Sequence, residues 1–162
     1  MFMKQYTYMM LKPDAFEDGK KEAILKELEA LGLHVEASKE VEVTMEEMKV
    51  LLEHYRDVID SMEKEFNFPG KLFNTFYYDG PHFIMPMKVS YEGEEDIIAY
   101  SRKHIGKTNP QEADKDTIRG KYSNDGYDKS GPENRLVYNL IHASDSQESA
   151  KRELRIWQEY LN

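Results

Sequence analysis

Four short runs suited to β-strands alternate along this chain with stretches whose apolar residues recur at helical spacing, and a breaker marks most changes of period. Tyr6 to Leu11 is aromatic and apolar and reads as a first strand. Lys12-Pro13-Asp14 ends it, because proline lacks an N–H for the ladder and forces the preceding residue out of helical geometry. Lys20 to Leu31 carries Ile24, Leu28 and Leu31 on one face and stops at Gly32, a good helix C-terminus. Val35 to Val43 reads as a second strand. Thr44 and Glu47 then form a capping-box pattern ahead of a helix bearing Met48, Leu51, Leu52, Tyr55, Val58, Ile59 and Met62. Pro69-Gly70 breaks that pattern, and a short helix or turn is predicted over Lys71 to Tyr78. His82 to Tyr91 is the third strand, with Pro86 implying an edge position or a bulge. A helix over Glu94 to Ile105 ends at Gly106. Lys107 to Lys121 and Ser123 to Asn134 read as loops. Leu136 to Ile141 is a fourth strand ending at His142. Ser144, Asp145 and Ser146 offer N-caps to a last helix with a buried stripe of Ala150, Leu154, Trp157 and Leu161.

This order predicts an α+β fold: a ferredoxin-like (split βαβ) antiparallel sheet with packed helices and added loops. The 162 residues suit one domain over residues 1–162. Without cysteine there is no disulfide framework, thiol nucleophile or Cys-based metal site, which fits a reducing cytoplasm. Lys4 and Gln5 interrupt the apolar N-terminus, so no signal peptide is expected, and no run is long enough to span a membrane. The net charge of −9 and the lack of a basic stripe argue against nucleic acid as a partner. Arg119-Gly120-Lys121-Tyr122 has a faint likeness to an RNA-binding strand, but the aromatic alternation fails at once.

His142 sits where a strand gives way to a helix, and a neutral imidazole is a good nucleophile near pH 7. Glu153, on the second turn of the following helix, is placed to reach back and fix its tautomer. Taken alone, His142 also fits a core or capping histidine, Glu153 a solvated helix position, Tyr55 a core aromatic, and Lys12, Arg102, Thr108 and Arg119 ordinary surface or turn residues.

Read together, the residues resemble the nucleoside diphosphate kinase family. The resemblance is carried by Tyr8-Met9-Met10-Leu11-Lys12-Pro13-Asp14, by Arg102 to Pro110, by Thr117-Ile118-Arg119-Gly120, and most specifically by Asn139 to Ser146 followed by Ser149-Ala150 and Glu153. These blocks keep the family's order and cover nearly the whole chain. The resemblance implies that His142 becomes a phosphohistidine, that Glu153 orients it and that Ser144 supports that contact. It implies that Lys12 binds phosphate and ribose, that Arg102, Thr108 and Arg119 clamp phosphates, that Asn139 bonds the ribose and that Tyr55 lies close to the transferred group. A phosphoryl group in flight is stabilised mainly by positioning and cations, and this set supplies both. The implied reaction is reversible, ping-pong transfer of the terminal phosphoryl from a nucleoside triphosphate to a nucleoside diphosphate. No metal ligands are assigned, so Mg²⁺ is expected to arrive with the nucleotide. A homo-oligomer, hexamer or tetramer, is also implied.

The His82 to Tyr91 region and the stretch before it look longer than the family's pattern, and two further departures bear on the nucleotide. Asn67 occupies the place of the usual base-stacking aromatic, which leaves Phe66 as the candidate platform. About ten extra residues lie between Arg119 and Asn139, near Ser123 to Asn134. Both departures motivate an alternative, a catalytically weak regulatory protein of the same fold that binds nucleotides.

Overall fold

The computed structural model describes residues 2–162. β1 (Gln5–Leu11) runs into α1 (Pro13–Glu17) and α2 (Lys21–Ala30); then come β2 (His34–Ser38), β3 (Val41–Glu42), α3 (Met45–His54), α4 (Arg56–Ser61) and α5 (Phe68–Phe76). β4 (Phe83–Tyr91), α6 (Ile97–Ile105), α7 (Ile118–Tyr122), α8 (Tyr127–Ser130), β5 (Ile141–Ala143) and α9 (Gln147–Ile156) follow. The strands order as β2-β4-β1-β5, all antiparallel, with β3 also on β4. Counting β2 and β3 as one interrupted strand gives the 2-3-1-4 order of the ferredoxin-like plan.

β1 is central and buried on both faces, which is why it reads as a continuous apolar run. Strand alternation sends Met9 and Leu11 to one face, where they pack with Ile24 and Leu28 of α2 and Ile97 and Ile105 of α6. Tyr8 and Met10 face the other way, against Met48 and Leu51 of α3, Leu72 and Phe76 of α5, and Trp157 beyond α9.

Four sequence expectations are corrected. β4 is interior, with β1 on one side and β2 and β3 on the other, so Pro86 is not at an edge. Its carbonyl accepts from the Lys39 N–H at the gap between β2 and β3, and its missing N–H therefore faces a place with no ladder to break. The helix after Thr44 keeps its capping box but stops at His54 and restarts at Arg56. No proline or glycine marks that break at Tyr55. Beyond it Val58 and Met62 are exposed, not core. The last strand is three residues long and contains His142 instead of ending before it. Leu136 to Leu140 cannot extend it, because Leu140 has φ 75° and its N–H bonds to Asp14 Oδ2. The two predicted loops hold short helices, α7 capped by Thr117 and the four-residue α8.

Candidate active site

Alternation in β5 decides where the histidine points. Ile141 and Ala143 join the core on the α2/α6 face, so His142 emerges on the opposite face, between α3 and α9. Glu153, almost wholly buried on α9, receives it: His142 Nε2 lies 2.8 Å from Glu153 Oε1. Ser144 Oγ donates to the same oxygen at 2.7 Å. Burial opposes the charge on Glu153, but the bonds from His142 and Ser144 and the nearness of His54 outweigh it, and the carboxyl sits below its usual range. An ionised carboxylate only accepts, so His142 carries its proton on Nε2 and keeps a lone pair on Nδ1.

His54, the last residue of α3, completes this group and was not singled out from the sequence. Its ring is edge-on to His142 and to Tyr55, with centroids 4.6 Å from each. The signal available was a histidine three residues after Leu51 on the buried face of α3. Trp157 Nε1–H donates to His54 Nδ1 at 3.0 Å, so the His54 proton is on Nε2, 3.9 Å from Glu153 Oε2. Burial, with His142 beside it, lowers the His54 pKa to about 3, and the ring stays neutral. His54, His142 and Glu153 have ligand atoms within 4.8 Å of one another, which raises the question of a metal. With Nε2 protonated on both rings, the two N–H groups point at the Glu153 carboxylate, which is how the metal-free trio is bonded. The trio is built to hold a histidine ring.

His142 opens onto a cavity of about 800 Å³. Lys12, Tyr55, Phe66, Arg102, Thr108, Arg119 and Asn139 line the same cavity, so the sequence-predicted set is brought together; Ser144 lies behind, buried against Glu153. Lys12 is buried, with Nζ donating to Asn139 Oδ1 at 2.8 Å and to the Val137 carbonyl at 3.2 Å. Burial lowers its pKa to about 8, against the pull of Asp14. Asn139 also donates to the Thr108 carbonyl at 2.9 Å, tying the Thr108 loop to the histidine segment. Arg119 donates to the carbonyls of Gly106, Asn139 and Ile141 at 3.0, 3.2 and 2.6 Å. It therefore braces the backbone around His142 as well as charging the cavity. Burial and the neighbouring Arg102 lower its pKa to about 10. Tyr55 stands with its ring 6.3 Å from that of His142, and burial followed by Glu153 raises its phenol pKa.

Asn67 has φ 56° and caps α5, accepting from the Gly70 N–H at 3.2 Å. Asparagine tolerates that backbone and makes that cap, so its place in the sequence has a structural cause. Phe66 is 41% exposed on the cavity wall, with Lys71 Nζ 3.4 Å from its ring centroid.

A nucleophilic imidazole backed by a carboxylate, facing buried cations, is suited to taking up a phosphoryl group. Residues 5–160 match the family model for nucleoside diphosphate kinase. The chain belongs to the nucleoside diphosphate kinase family. It is 39% identical over 158 residues to a nucleoside diphosphate kinase of Methanosphaera stadtmanae, covering 96% of this chain and 86% of that one. The fold superposes with a TM-score of 0.81 on the transition-state mimic of the Borrelia burgdorferi nucleoside diphosphate kinase with bound vanadate and ADP, at 27% identity, covering 98% of this chain and 91% of that one. The Halobacterium salinarum nucleoside diphosphate kinase in complex with CDP gives 0.74 at 26% identity, with 99% and 92% covered. As a nucleoside diphosphate kinase, the chain is a nucleotide phosphotransferase. No helix among the described residues is long and apolar enough to cross a membrane.

Proposed function

We propose that His142 Nδ1 is the atom that carries the phosphoryl group. The observation behind this is the 2.8 Å contact from His142 Nε2 to an ionised Glu153, which leaves Nδ1 as the free lone pair on the cavity side. Nδ1 attacks the terminal phosphorus of a nucleoside triphosphate. The Nδ1–P bond forms, the bridging P–O bond breaks, and the nucleoside diphosphate leaves with that electron pair. A second nucleoside diphosphate reverses the step, which makes the kinetics ping-pong. As the ring gains positive charge, Glu153 stabilises it through Nε2–H, and Ser144 holds the carboxylate in place.

Lys12, Arg102 and Arg119 supply positive charge for the phosphates and Thr108 a hydroxyl. Asn139 serves the ribose, with Lys12 beside it, and Tyr55 borders the transferred group. Phe66 is the platform for the base. Asn67 is accounted for as a helix cap, so the weak regulatory reading loses one of its two motives. Of the carboxylates lining the cavity, Glu153 is engaged by His142 and Ser144, and Asp57 and Asp145 are exposed. Mg²⁺ arriving with the nucleotide would supply charge neutralisation at the phosphates, beside Lys12, Arg102 and Arg119. The same reading makes residues 1–162 one domain that acts in the cytoplasm as a hexamer or tetramer.

The test is one half-reaction. The protein is mixed with Mg²⁺ and γ-labelled ATP without an acceptor, beside His142→Ala, and both are chased with GDP. Acid-labile label that requires His142 and leaves as GTP is the expected result. A folded wild type that takes no label would overturn the proposal.

A further inference from the structure

The stretch near Ser123 to Asn134, where the resemblance implies about ten added residues, is a built wall. Arg135 makes two bonds to the Asp125 carboxylate, at 2.7 and 3.0 Å, and both side chains are buried. Asp125 Oδ2 also accepts the Tyr138 N–H at 2.7 Å, and Ser123 Oγ donates to the Tyr138 carbonyl at 2.6 Å. On the far side, Asn74 Nδ2 donates to the Asn134 carbonyl and the Leu136 N–H donates to Thr75 Oγ1, each at 2.8 Å. The segment is thus fixed to α5 at one end and, through Tyr138, to the chain just before β5 at the other. Such a segment does not need to be ordered when a ligand arrives.

Between these ties, α8 sets Tyr127 on the wall of the cavity that holds His142, Lys12 and Arg119. Tyr127 is 53% exposed, although the segment around it is anchored by buried bonds. Tyr127 shares that cavity wall with Arg119 and lies close enough to act on its guanidinium. Tyrosine is a rigid, amphipathic contact residue with few torsions to immobilise.

We propose that Tyr127 is an added nucleotide-contact residue, whose hydroxyl donates to the sugar–diphosphate part of a nucleotide bound against Arg119 and Lys12. This rests on the phosphotransfer reading of the same cavity. The contact is made by substrate and transition state alike, so it acts on binding.

Tyr127→Phe and Tyr127→Ala are compared with the wild type, with ADP, GDP and CDP as acceptors. A second donor, phosphoramidate, phosphorylates a histidine without bringing a nucleoside or a diphosphate. Tyr127→Phe is expected to raise KM about five-fold, equivalent to about 1 kcal/mol. The factor should be equal for the three acceptors and larger for Tyr127→Ala. Melting temperature, kcat and the rate of labelling by phosphoramidate should match the wild type. Unchanged KM in both variants, a factor that depends on the base, or slowed labelling by phosphoramidate would overturn the assignment. A wild type that no donor labels would overturn the phosphotransfer reading itself, which separates the two failures.

Discussion

Replacing Glu153 by glutamine tests how much of the chemistry rests on one carboxylate. Glutamine keeps the shape, and its amide oxygen can still accept from His142 Nε2, but the acceptor is now neutral. A hydrogen bond to a charged group is worth about 1.5–3 kcal/mol and a neutral one about 0.5–1.5 kcal/mol. The loss of roughly 1–1.5 kcal/mol slows histidine phosphorylation about ten-fold, because the bond strengthens only as the ring gains charge. Glu153→Ala should cost more. It leaves Ser144 Oγ and the His142 Nε2–H without their shared acceptor, and the ring is free to move its proton to Nδ1, where it blocks attack. Single-turnover quench experiments with labelled ATP measure the step directly. KM should barely change, because the Glu153 carboxylate is spent on His142 and Ser144. The variant should also lose an acid limb of stability. The folded carboxyl lies below its ordinary 4.5, so its contribution is present at neutral pH and disappears as pH falls through the lowered value. An unchanged rate in a folded Glu153→Gln protein, or a loss confined to KM, would refute this reasoning.

Other outcomes follow from the same geometry. With Lys12 titrating at about 8, kcat/KM should fall above that pH as the cation is lost, read from a pH–rate profile. Because the folded pKa lies below the unfolded value of 10.5, the unfolded chain binds more protons between the two, so the Lys12 contribution to stability rises from about pH 8 to 10.5. Lys12→Met should abolish that rise in urea melts. Trp157→Phe leaves His54 Nδ1 as a buried acceptor without a donor and should cost about 2 kcal/mol of stability in urea unfolding. Asn67→Ala should destabilise by about 1–2 kcal/mol through loss of the cap and the left-handed backbone. Asn67→Gly should cost less, and thermal melts compare the two.

The strands with strong apolar character and the capped helices were legible in the sequence, because their signals are local. β1, the α2 stripe, the Thr44–Glu47 box and the α9 helix all follow from spacing and side-chain chemistry. What was not legible depends on distant partners. Pro86 is tolerated inside the sheet only because β2 gives way to β3 opposite it. The last strand is shorter than its apolar run because Asp14 and Arg119 take the Leu140 N–H and the Asn139 carbonyl. The candidate site was found through motif blocks, yet His54 was missed, since a histidine on an apolar helix face looks like any core residue until Trp157 and Glu153 are placed beside it. The added segment read as a loop because its order comes from the Asp125–Arg135 pair, ten residues apart.

The Glu153 contact fixes which ring nitrogen of His142 is free to take the phosphoryl group. Phosphorus NMR of the phosphorylated protein, or chromatography of its alkaline digest against the two phosphohistidine isomers, distinguishes them. Phosphate on Nδ1 is the predicted result, because Nε2–H is committed to Glu153. Phosphate on Nε2, or on a residue other than His142, would contradict it.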